Sequence, residues 1–274
     1  MIHAASREAL GALRPEVETI IGRFSTTDGF TGLADELYGI AGLLEAQPRL
    51  RRMLADPAAL PDSRAALVES LIGSKVGASA LSIAKAAVSQ RWSSPWDLLD
   101  AIESTADDIV LAAAEQAGVI ETVEDELFRL ERILDNESAL TTLVDEASAD
   151  VSRRQQLLEG VVAGKVNPLT TALLHHAVAS GRKRSILLAL DNLVEAAATR
   201  RERSIARVIS AVELTAAQQA ALASRLTEVY RRSIDVRLSV DPAIRGGLVV
   251  RAGDEIIDGS VLSRQTQVRD AFAS

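Results

Sequence analysis

The sequence predicts an α+β protein, predominantly α-helical: two tandem helical bundles followed by a small β-α-β-β-β-α module. Three observations carry this. Apolar residues recur at spacings of three and four over most of the first 200 positions, the mark of amphipathic helices. A gapless internal repeat with a spacing of 90 residues runs through that helical part, as expected when two bundles bury the same positions. Beyond about residue 204 the period changes to two and glycine turns appear, the pattern of half-buried strands.

The first helix is expected over Ser6–Phe24, with Leu10, Leu13, Val17, Ile20 and Ile21 on one side. Pro15 should either kink it or start it. A polar loop is expected over Phe24–Thr31. Leu33, Leu37, Ile40 and Leu44 then define a helix ending near Gln47-Pro48, and Leu50–Leu54 is short and apolar. Ser63 is placed to cap a helix with Leu67, Val68, Leu71 and Ile72 in one stripe. A turn over Gly73–Gly77 leads to a small-residue helix over Ala80–Gln90.

The repeat begins near Asp35. Asp35-Glu36-Leu37-Tyr38 returns as Asp125-Glu126-Leu127-Phe128, Leu44, Leu50 and Leu67 return as Leu134, Leu140 and Leu157, and Lys75-Val76 returns as Lys165-Val166. Between the copies, Trp96, Leu99, Ile102, Ala106 and Ile109 trace a long helix reaching about Ala117, placed to close the first bundle and open the second. A last helix is expected over Ile186–Thr199, then a charged joint at Arg200–Arg203. The expected domains are residues 1–95, 96–200 and 201–274.

In the last of these, Ile205–Val212 is rich in β-branched residues and reads as a strand. Thr215 with Gln218 forms a capping box for a helix bearing Leu222, Leu226 and Val229. Ile234, Val236, Leu238 and Val240 alternate with polar residues, Asp241-Pro242 breaks that strand, and Gly246-Gly247 turns the backbone. Leu248-Val249-Val250 opens a further strand, Gly253-Asp254 a hairpin turn, and Glu255–Asp258 a last strand. Ser260 is placed to cap a helix running to Phe272.

The totals exclude several classes of function. There are no cysteines, hence no disulfide and no thiolate metal site, a composition that fits a reducing compartment. No run of about 18 apolar residues suggests a membrane span, and the opening MIHAASREAL has no basic start and apolar core, so no signal peptide is expected. Net charge is −8, unevenly spread. Residues 200–274 hold 12 Arg and 9 acidic residues, while residues 1–199 hold 18 basic and 29 acidic residues, 15 of the latter against two Arg within 95–146. Such a split suggests two different docking surfaces.

No catalytic, cofactor-binding or metal-binding constellation emerges. Gly160–Lys165 is one residue short of a phosphate loop and is followed by Val166 where a hydroxyl is needed. His175 and His176 are neighbours, so on a helix they point about 100° apart and share no metal; one is expected partly buried, the other exposed. Gly181-Arg182-Lys183-Arg184 is a short basic cluster read as a solvated loop, and Trp92 and Trp96 are read as packing a bundle corner.

The ordered positions Val240-Asp241, Gly246-Gly247, Val250-Arg251, Gly253-Asp254 and Ile257-Asp258-Gly259-Ser260, following a helical bundle, resemble the δ subunit family of bacterial F-type ATP synthases, relatives of the mitochondrial oligomycin-sensitivity-conferring protein. The ordinary family layout covers roughly residues 96–274. An extra helical copy and 26 Arg against 4 Lys fit the enlarged forms known from actinobacteria with GC-rich genomes.

The resemblance implies a non-catalytic stator without cofactor, held peripherally at the cytoplasmic face of the cell membrane through a hetero-oligomeric complex. Its helical domain would grip an N-terminal helix of the α subunit, and its C-terminal module would meet the b-type stalk. The family-motif residues Asp241, Gly246, Gly247, Gly253, Asp254, Asp258, Gly259 and Ser260 are expected to be structural. The candidate groove for the α helix is Leu99, Ile102, Ile109, Leu173 and Ala177, in the second copy. The first copy is expected to lengthen the stator or pack against the stalk. The alternative is a nucleic-acid-binding adaptor using the basic C-terminal module; the scarcity of aromatic residues, 8 of 274, speaks against base stacking.

Overall fold

In the computed structural model, eleven helices precede the first strand among the described residues, which are 4–146, 149–180, 185–203, 205–230, 234–244, 246–252 and 255–261. The first six are α1 (Ala4–Ile21), α2 (Thr27–Ala46), α3 (Pro48–Leu54), α4 (Pro61–Ile72), α5 (Ala78–Ser89) and α6 (Pro95–Gln116). The next five are α7 (Ile120–Asn136), α8 (Ser138–Val144), α9 (Val151–Val162), α10 (Pro168–Ala179) and α11 (Ile186–Arg203). After them come β1 (Ile205–Ser210), α12 (Ala216–Tyr230), β2 (Asp235–Val240), a 3-10 turn at Pro242–Ile244, β3 (Leu248–Ala252) and β4 (Glu255–Asp258). The chain divides into two compact units, Met1–Ala197 and Ala198–Ser274.

Local chemistry moves several boundaries. α1 runs through Pro15 without a break, and the Thr19 hydroxyl donates to the Pro15 carbonyl at 2.8 Å. The Thr26 side chain accepts from Gly29 N, so α2 starts inside the expected loop. Pro61 at the first position starts α4 after Leu60, two residues before the expected Ser63 cap, because proline is suited to that position. Arg200–Arg203 is the last turn of α11 rather than a joint, and Arg200 is buried.

The repeat is exact in its helices: α8, α9 and α10 occupy the positions of α3, α4 and α5 advanced by 90 residues, with the same lengths of 7, 12 and 12 residues. The same advance carries α2 onto α7, α6 onto α11 and α1 onto α6. α6 therefore ends one copy and begins the other. Its buried residues include Leu98, Leu99, Ile102, Ala106, Ile109 and Leu111, more than one face of a surface helix can supply. It packs against α1, α2, α3 and α5 on one side and α7 and α10 on the other. One apolar core runs from Ala9 to Ala197.

Polar contacts repeat as well. Glu36 Oε1 accepts from Gly77 N at 2.9 Å, and Glu126 Oε2 accepts from Asn167 N at 2.8 Å. Arg51 donates to the Leu44 carbonyl at 2.8 Å, and the corresponding Thr141 hydroxyl donates to the Leu134 carbonyl. The two glutamate bonds join elements 41 residues apart, and the other two join consecutive helices; each pair ties equivalent places in the two copies.

The second unit is a sheet in the order β2-β1-β3-β4. β1 and β2 are parallel, joined by α12, and the other neighbours are antiparallel. The capping box forms: Gln218 N donates to Thr215 Oγ1 at 3.3 Å and Thr215 N to Gln218 Oε1 at 2.9 Å. Ala206, Val208, Leu226, Ile234 and Val250 make its small core, with Leu222, Val236 and Leu238 against it. α12 thus covers one face of the sheet. The Gly253-Asp254 turn, the Gly181–Arg184 cluster and the helix expected up to Phe272 lie outside the described residues.

Candidate functional site

The described residues of Asp241–Ser260 are tied together by backbone hydrogen bonds. Asp241 N donates to the Ser210 carbonyl at 2.8 Å, and its Oδ1 accepts from Ala243 N at 2.9 Å, which ends β2 and starts the 3-10 turn. Gly246 and Gly247 have φ of 128° and 82°, where an L side chain is strained. A Cβ on Gly247 would also stand 2.4 Å from the Gly259 carbonyl oxygen. Gly259 N donates to the Leu248 carbonyl and Val261 N to the Gly246 carbonyl, both at 2.9 Å. Asp258 Oδ1 accepts from Ser260 N at 2.9 Å, and Ser260 is buried. Five of the eight motif residues, Gly246, Gly247, Asp258, Gly259 and Ser260, meet here; Asp241 acts at the preceding strand end. Gly253 and Asp254 lie outside the described residues.

The structure corrects the groove residues. Leu99, Ile102, Ile109 and Leu173 are at most 1% exposed and Ala177 is 9% exposed. Side chains closed into a core offer nothing to a partner helix. The reason lies in the extra copy: its α2 packs along α6, and the Tyr38 ring of α2 stacks on His176 of α10 with centroids 3.5 Å apart. The expected groove is filled from within the chain.

That seam carries the clearest electrostatics of the helical unit. The Tyr38 hydroxyl donates to Asp107 Oδ1 of α6 at 2.5 Å. Burial first, and then the carboxylate of Asp107, push the phenol well above its ordinary pKa. His176 Nε2 lies 3.3 Å from Asp35 Oδ1. Burial holds its pKa below the usual histidine value, against the opposing pull of Asp35. His175 Nε2 sits 2.6 Å from Glu159 Oε1. Both histidines are thus engaged and partly buried, which corrects the expectation that one is exposed. The signal for this was present as aromatic and acidic residues on α2, but which helix they would face was not.

The tryptophans divide. Trp92 is buried and donates from Nε1 to the Ala87 carbonyl at 2.8 Å. Trp96 is half-exposed, with the Arg51 guanidinium 3.5 Å above its ring, a cation–π contact. Among the described residues no group of three or more histidines and carboxylates is placed to hold a metal. No described helix is long and apolar enough to cross a membrane. Paired helical bundles and a glycine-locked sheet module define the class by fold: a helical-repeat protein with a small mixed α/β unit.

Comparison with known proteins agrees with that class. The family described as ATP synthase delta (OSCP) subunit matches residues 109–272. The ATP synthase subunit delta of Streptomyces avermitilis is 38% identical over 272 residues, covering 99% of this chain and 99% of the relative. That of Corynebacterium urealyticum is 39% identical over 276 residues, covering 99% and 100%, and that of Salinispora arenicola 38% over 270 residues, covering 98% of each. The extra copy is therefore matched along with the rest. This chain belongs to the ATP synthase delta (OSCP) subunit family. It is a non-catalytic, peripheral-stalk subunit of the hetero-oligomeric F-type ATP synthase, associated with the membrane-bound complex from its periphery. The nucleic-acid adaptor reading has no support in this membership.

Proposed function

We propose that the chain joins the N-terminal helix of the α subunit, on the catalytic head, to the b-type stalk at the cytoplasmic face of the membrane, so that the head resists rotor torque. The observation that carries this reading is full-length similarity to delta subunits, combined with an architecture of two units, one helical and one sheet-based. The helical unit takes the α helix and the Ala198–Ser274 unit meets the stalk.

With Leu99, Ile102, Ile109, Leu173 and Ala177 enclosed, the helix contact falls to apolar side chains at the surface of the second copy. Phe128 and Ile133 of α7 are each 47% exposed, and Leu143 of α8 is 56% exposed. They stand on the acid-rich stretch noted above, which suits an amphipathic helix with basic flanks. The division of the helical part near residue 95 becomes, in this proposal, two copies joined through the shared α6, with the first copy bracing the second.

Titrating the full chain with a synthetic α N-terminal helix tests the contact. Binding that Ile133→Glu weakens tenfold or more is expected; binding that Ile133→Glu leaves unchanged overturns the assignment to this face. Cross-linking mass spectrometry of the assembled synthase tests the stalk contact. Cross-links from the Ala198–Ser274 unit to b subunits are expected, and their restriction to the helical unit would reverse the assignment.

A further inference from the structure

The sheet of the second unit has one face covered by α12 and, among the described residues, one open face, which carries a row of arginines. Arg207 of β1 lies opposite Arg237 of β2 and opposite Arg251 of β3, and Arg251 lies opposite Ile256 of β4. All three arginines are exposed, while Val208 and Val250, next to them in sequence, are buried on the α12 side. Alternation therefore puts the three guanidinium groups on one face at one level, one per strand.

Directly opposed like charges on neighbouring strands destabilise a sheet, so this row works against the fold that presents it. Arg237 has an interaction within the chain. Arg207, in the middle of the row, and Arg251 make no ion pair among the described residues. The next level of the face, Ser239, Ile209, Val249 and Asp258, is mostly apolar or neutral. Its carboxylate, Asp258, accepts from Ser260 N at the far edge of the sheet. Ile256 is 59% exposed at the end of the arginine row.

We propose that this face is a docking surface for an acidic amphipathic helix of a partner protein, laid across the strands with carboxylates over Arg207 and Arg251. The geometry suits a helix. Neighbouring strands are about 4.8 Å apart and a helix rises about 5.4 Å per turn. Acidic residues spaced three or four apart therefore match the row, and apolar residues beside them meet Ile209, Val249 and Ile256. Guanidinium–carboxylate pairs can be bidentate, which fixes register as well as charge. The proposal deepens the reading that the Ala198–Ser274 unit meets the stalk, on which it rests for its partner; a failed peptide test with intact cross-links to b subunits overturns the arginine face alone, and both stand separately from the α-subunit contact on α7 and α8.

The test uses the full-length chain and a fluorescent synthetic helix of leucines with glutamates at every third or fourth position, beside a lysine-for-glutamate version. Saturable anisotropy binding of the glutamate helix is expected, weakening with salt. A tenfold or greater loss is expected in Arg207→Gln and in Arg251→Gln, with unchanged circular dichroism. Arg207→Glu combined with Arg251→Glu should turn preference to the lysine helix. No saturable binding, or binding indifferent to both glutamine variants, overturns the proposal. So does a mixed-sequence RNA that binds tighter than the glutamate helix and displaces it.

Discussion

The two helical copies share their inner plan and differ on their surfaces. Leu37 and Leu127, at equivalent positions, are each 0% exposed, and the Glu36–Gly77 and Glu126–Asn167 bonds tie equivalent corners. The exposed elements have diverged: α3 reads PRLRRML and α8 reads SALTTLV. Tyr38 and Phe128 are equivalent, yet Tyr38 lies in the seam against His176 while Phe128 is half-exposed. Packing constrains a position through every neighbour it touches, whereas a surface position is free until a partner uses it. The first copy has spent its α2 face on the second; the second copy keeps the equivalent face of α7 outward.

The largest effect should come from breaking the shared core. Leu37→Ala and Leu127→Ala should each cost about 2–5 kcal/mol, and calorimetry should show both lowering one common transition of the helical unit. Two transitions, each moved by only one substitution, would show that α6 does not couple the copies. Next come the corner carboxylates. Glu126 Oε2 also accepts from the Thr170 hydroxyl, and Thr170 is fully buried. Glu126→Ala should therefore cost about 1–3 kcal/mol, the scale for stranding buried donors. Glu36→Ala, which strands the single exposed bond to Gly77 N, should cost less in urea unfolding.

A third comparison is pH. Because the folded state lowers the His176 pKa, the unfolded chain binds the proton more readily. The neutral-imidazole contribution is then fully present above the ordinary histidine value and is lost as pH falls from there through the lowered folded-state value. Asp35 of α2 and His175 of α10 act on His176, the Tyr38 ring stacks on it, and Asp107 and Glu103 of α6 act on Tyr38. His176→Gln should flatten the fall in melting temperature between about pH 7.5 and 5.5; an equal fall in both proteins would assign the effect elsewhere. The smallest effect belongs to the exposed Lys85–Glu69 pair at 2.8 Å, equivalent to His175–Glu159. Lys85→Ala should change stability by less than about 1 kcal/mol, most visibly at low salt.

Much of the fold was legible because its causes are local. The 3.6-residue stripes located the helices, β-branched content located β1, the period of two β2, the glycine turns β3 and β4, and Thr215 with Gln218 the start of α12. The errors were also local in origin: Thr26 starts α2 inside the expected Phe24–Thr31 loop, and Pro61 out-competed Ser63 as a helix starter. The candidate groove failed for another reason. Leu99, Ile102 and Ile109 form an apolar stripe that fits a partner helix and a neighbouring helix of the same chain equally well, and only the position of Tyr38 against His176 shows which one covers it.

By itself the sequence determined the class of protein, the repeat and the Asp241–Ser260 turn. Periodicity, glycine placement and charge are properties of short stretches, and a 90-residue self-match needs no structure to see. Tertiary structure decided that α6 serves both copies, that the expected groove is interior, and that Arg207, Arg237 and Arg251 stand level. Burial and cross-strand register are set by neighbours far away in the chain, and a one-residue slip in strand pairing would have put those arginines on opposite faces.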